Sequence, residues 1–84
     1  MKIYGYQSHS DALLQLEETT FQCNLNELSN LIDFLLHVHK EHSAVADKTD
    51  MCHTHLRDWD TTWEKGSPDI IVVTTWGTNS NGLR

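Results

Sequence analysis

The clearest periodic signal in the chain lies within residues 25–46. Leu28, Leu31, Ile32, Leu35 and Val38, followed by His39 and His42, recur at the i, i+3, i+4 spacing of an amphipathic helix. Asn26, Glu27, Asn30, Asp33, His37, Lys40 and Glu41 fall mostly elsewhere on the wheel, and Leu25, Phe34 and Leu36 widen the apolar stripe. Asn24 stands where an N-cap belongs, Glu27 completes a capping box, and Cys23 against Leu28 makes a weak hydrophobic staple. The spacing predicts a helix over 25–46, roughly 30 Å long at about 1.5 Å per residue. It is expected to pack through Leu28, Leu31, Ile32 and Leu35.

Strand signals flank this helix. Ile3, Tyr4 and Tyr6 are β-formers, and the polar run Ser8-His9-Ser10-Asp11 that follows reads as a turn. Over 13–23 the chain alternates, with Leu14, Leu16, Glu18, Thr20 and Gln22 on one side and Leu13, Gln15, Glu17, Thr19, Phe21 and Cys23 on the other. Beyond the helix, residues 51–58 read as a third strand and 59–67 as a connection. Ile70-Ile71-Val72-Val73-Thr74-Thr75-Trp76, set between Pro68 and Gly77, is the strongest strand signal.

The order β-β-α-β-β predicts an α+β fold, one long helix across a four-stranded, largely antiparallel sheet, with the far face of that sheet uncovered. Residues 1–76 are expected to form one domain and 77–84 a flexible polar tail.

At 84 residues the chain has room for one modest core, so a partner or a second copy would add appreciably to its stability. Twelve acidic against six basic residues give a net charge of −6. The cations Lys2, Lys40, Lys48, Arg57, Lys65 and Arg84 are scattered singly, which disfavours nucleic-acid binding and suits a basic protein partner. No apolar run is long enough to span a membrane, and the start lacks the apolar stretch of an export signal, so the expected location is cytoplasmic. Cys23 and Cys52 belong to no C-x-x-C pair and are expected as buried free thiols.

Six histidines raise the question of a metal. His53 and His55, two apart on a strand, share a face, and His39 or His42 from the helix would complete a three-nitrogen site, with Asp58 and Cys52 as further donors. Isolated H-x-H is common and no zinc-binding motif accompanies it, so the expectation is no metal and no cofactor. No enzyme is expected either. Cys52 and His53 point to opposite faces, Ser10 and Ser43 lie in no nucleophile elbow, and the glycines are isolated. The stretch 53–63 instead carries the aromatic and Arg anchors of a binding hot spot. Arg57, Trp59 and Trp63 sit among Asp58, Asp60 and Glu64, and Asp58, Trp59, Asp60, Trp63 and Glu64 are the candidate partner-binding residues.

Three segments, in order, resemble the immunity protein 32 family of bacterial polymorphic toxin systems. They are Lys2-Ile3-Tyr4-Gly5-Tyr6 leading into Leu16-Glu17-Glu18-Thr19-Thr20-Phe21 and the leucine-rich helix; His53-Thr54-His55-Leu56-Arg57-Asp58; and Pro68-Asp69-Ile70-Ile71-Val72-Val73. The resemblance implies a protein that binds and neutralises the C-terminal toxin domain of a cognate effector, and a nuclease is the toxin class its acidity would suit. His53, His55, Leu56 and Asp58 are the matching motif, and its two imidazoles and Asp58 are expected to hold the third strand to its neighbours by hydrogen bonds. Two alternatives stand beside it, a small metal-binding domain and a structural or regulatory homodimer.

Overall fold

The computed structural model describes residues 1–45 and 51–75. Their elements are β1 (Ile3–Tyr6), β2 (Leu13–Leu16), α1 (Leu25–Ser43), β3 (Cys52–His55), a single turn α2 (Leu56–Trp59) and β4 (Ile71–Thr74). The expected tail at 77–84 and Trp76 lie outside the described residues, and α1 stops at Ser43, with Ala44 as its C-cap donating to the Glu41 carbonyl, short of the expected end at residue 46.

The class is α+β, but the four strands do not share one sheet. β1 and β2 form an antiparallel hairpin with Ile3 opposite Leu16, and β3 and β4 form a second one with Cys52 opposite Thr74. The alternating pattern over 13–23 becomes a ladder only as far as Leu16, whose partner Ile3 is the first residue of β1. Residues 17–23 continue as irregular chain. In the first hairpin a Cβ added at Gly5 would lie 3.2 Å from Leu16 Cδ1, so glycine lets that leucine close over the strand. His9 turns the chain with φ 61°, in the left-handed region that histidine enters more readily than most residues.

α1 begins as its sequence dictates. Asn24 Oδ1 accepts from the Glu27 amide at 2.8 Å, and Glu27 Oε1 accepts from the Asn24 amide at 2.9 Å, so both halves of the capping box are made. The face that packs is not the one expected. Phe34, Val38 and His42 are buried, whereas Leu28, Ile32 and Leu35 are exposed and Leu31 is half-buried. The helix is apolar over more than half its circumference, so periodicity cannot choose the inward side. Phe34 decides it, because the largest side chain available meets Trp59, with ring centroids 5.6 Å apart.

His42 ties the helix to the second hairpin, with Nδ1 2.7 Å from Thr74 Oγ1 and Nε2 2.8 Å from Thr54 Oγ1. Thr54 and Thr74 share the helix-facing side of the hairpin with Cys52 and Val72. The other side carries His53, His55, Ile71 and Val73, and of these only His55 is not exposed.

Candidate functional site

α2 replaces the second half of the expected third strand. The ladder passes its last hydrogen bond from the Leu56 amide to the Ile70 carbonyl at 2.8 Å, and the chain then coils through Asp60, whose amide donates to the Leu56 carbonyl at 2.8 Å. Two further turns follow, closed by Trp63 N to Asp60 O and Ser67 N to Glu64 O, with Gly66 at φ 97°. This folded loop, the first half of α1 and the irregular segment 20–23 enclose a groove of about 670 Å³. Phe21, Leu31, Leu56, Trp63 and Ile70 supply its apolar walls. Glu27, Asp60 and Asp69 supply its charge, and no Lys, Arg or His lines it. Its volume falls in the range of ordinary ligand clefts.

Each acid at this groove is held. Asp60 Oδ1 accepts from the Thr62 amide at 2.9 Å and the Thr62 hydroxyl at 2.7 Å, while Oδ2 accepts from Asn30 Nδ2 at 2.9 Å. The Thr62 hydroxyl, then its amide, holds the Asp60 carboxyl below the usual range against a small opposing effect of burial. Asp60 is thus a node joining the loop to α1 as well as a rim charge. At Asp69 partial burial pushes the carboxyl upward, but the His55 hydrogen bond, the Arg57 amide and both cations outweigh it, and the net direction is down. His55 Nδ1 donates to Asp69 Oδ2 at 2.7 Å, and the Arg57 amide donates to Oδ1 at 3.0 Å.

The candidate residues separate into groups. Asp60 and Trp63 line the groove, Trp63 being fixed by its Nε1 donating to the Pro68 carbonyl at 3.0 Å. Trp59 turns away, half-buried, to pack on Phe34 and to stack on His37, centroids 6.0 Å apart. Asp58 and Glu64 are exposed, Asp58 with only a loose 4.0 Å approach from Arg57 Nε.

Within the H-x-H motif, His53 and His55 do share a face, ring centroids 5.6 Å apart. The carboxylate that orients His55 is Asp69, not Asp58. Asp69 sits 14 residues away, at the entry to β4, and the signal that might have found it is the Pro68-Asp69 start opposite the motif. His42 spends both ring nitrogens on threonines on the other side of the hairpin. Among the described residues no group of three or more His, Cys, Asp or Glu side chains is placed to hold a metal ion, and no helix is long and apolar enough to cross a membrane.

Compared with models of known families, with curated proteins and with solved structures, the chain matches none.

Proposed function

We propose that this protein is a cytoplasmic immunity protein that neutralises a cognate toxin domain by direct contact, and that the groove between α1 and the 60–70 loop receives the toxin. The observation that carries this reading is the groove itself. Its apolar walls include an indole pinned in place, its lining carries Glu27, Asp60 and Asp69 but no Lys, Arg or His, and it takes up two of the candidate partner-binding residues, Asp60 and Trp63. A basic toxin surface, such as a nuclease presents to its substrate, is complementary to it, and a basic side chain with a long apolar stem suits both walls and rim. Asp58 and Glu64, exposed beside the groove, act on encounter more than on final affinity.

The test begins with the neighbouring genes, where the proposal expects a large secreted protein with a variable C-terminal domain, and uses that domain. Co-expression should relieve the growth arrest which that domain causes, and the purified pair should form a complex. Trp63→Ala should speed dissociation. Asp58→Lys with Glu64→Lys should slow association most at low salt, since charges are screened over about 8–10 Å near physiological ionic strength. Absence of such a neighbour, unrelieved arrest, or unchanged rates in folded variants contradicts the proposal.

A further inference from the structure

We infer that the exposed apolar side of α1 is a self-association surface, on which a second copy of this chain packs its own α1 in antiparallel fashion about Ile32. Leu25, Leu28, Ile32, Leu35 and Leu36 are 80%, 40%, 50%, 45% and 64% exposed. At about 100° per residue they lie roughly 60–160° round the helix from Val38, the middle of the side that packs within the chain. Leu25, Leu28, Ile32, Leu35 and His39 step by 3, 4, 3 and 4, the a/d spacing that matches one helix to another. The side that packs internally, Leu31, Phe34, Val38 and His42, adjoins this stripe along its Leu35 edge.

Three further observations choose a second copy as the occupant. The stripe carries no charged residue. Asp33 and Lys40 lie beyond its one edge and Glu27 and Glu41 lie on the packed side, so identical stripes meet without like-charge contact despite the chain's net charge of −6. The midpoint of the stripe is Ile32, so a two-fold axis there sets Leu25 of one copy over His39 of the other and Leu28 over Leu36, with opposed helix dipoles. The five side chains leave on the order of 500 Å² per chain, or about 1,000 Å² for the pair, the lower bound of a specific interface before flanking contacts are added. The need is as plain as the fit, because Phe34 and Val38 are the only buried apolar residues among those described, and a core of that size leaves a chain dependent on association.

Sedimentation equilibrium of the full chain over a hundredfold concentration range tests this. A reversible dimer is expected. Ile32→Glu should abolish it, and Val73→Glu, on the uncovered face of the second hairpin, should leave it intact. Because a charge in the stripe can unfold a chain that depends on the dimer, Leu36→Ser is measured beside it. With two leucines removed per dimer, its dissociation constant should rise roughly tenfold or more while the circular dichroism stays unchanged. A monomer throughout the range, a dimer whose dissociation constant Leu36→Ser leaves unchanged, or one that Val73→Glu dissociates overturns the inference. The immunity reading stands or falls separately, since the groove lies on another side of α1.

Discussion

The two hairpins are built alike, each from two four-residue antiparallel strands, yet among the described residues only one is tied to the rest of the molecule by side-chain hydrogen bonds. β3–β4 is linked to α1 by His42 through Thr54 and Thr74, and its two ends are joined across α2 by His55, Asp69 and the Arg57 amide. In β1–β2 the hydrogen bonds outside the ladder are local, Ser10 N to Gln7 O and Ala12 N to Ser10 Oγ, and Tyr4, Tyr6, Leu13 and Leu14 remain exposed. An isolated two-stranded hairpin is marginal in water. The contrast teaches that the β-propensity of Ile3–Tyr6 makes a ladder but does not seat it, whereas a few polar links of long sequence separation seat β3–β4 against the helix.

That contrast can be broken at its strongest point first. Phe34→Ala should cost about 3–5 kcal/mol in denaturant melts, which for so small a core means a largely unfolded chain, and a loss below about 1 kcal/mol would show that α1 does not pack through this side. Next, His42→Leu leaves two part-buried hydroxyls without their partner and should cost about 1–3 kcal/mol. A double-mutant cycle with Thr74→Val should reveal coupling, and additivity would remove His42 as the link. The third effect is in acid. The folded Asp69 carboxyl is held below its unfolded value, so the stability it contributes is fully present above the unfolded value, near about pH 4, and is lost as pH falls through the folded value. Asp69→Asn should therefore flatten part of the acid limb of stability against pH, and an unchanged limb would mean the His55 pairing contributes nothing. Smallest of all, Leu14→Ala in the first hairpin should cost under about 1 kcal/mol. A larger loss would mean that β1–β2 is seated after all.

The sequence carried the local half of this structure. The capping box at Asn24 and Glu27, the β-branched run of β4 and the common face of His53 and His55 each depend on residues within a few positions, and each is found. What it did not carry depends on distant partners. Nothing near Leu16 tells that β2 has only β1 beside it, and nothing in a helix apolar over so wide an arc tells that Phe34 rather than Leu35 meets Trp59. The candidate site divides the same way. Trp63 and Asp60 were visible as anchor types, but Phe21, Leu56 and Ile70 become walls only when segment 20–23 leaves the expected strand. The role given to Asp58 falls to Asp69, because the turn at α2 points Asp58 outward.

Which surface the proposed toxin partner covers is read directly by amide hydrogen exchange of the chain alone and in complex with that partner. Protection is predicted at 20–31 and 60–70, the two sides of the groove, with β1–β2 exchanging as fast in the complex as alone. Protection confined to β1–β2 or to the Ile71 and Val73 side of the second hairpin, with the groove unchanged, would contradict it.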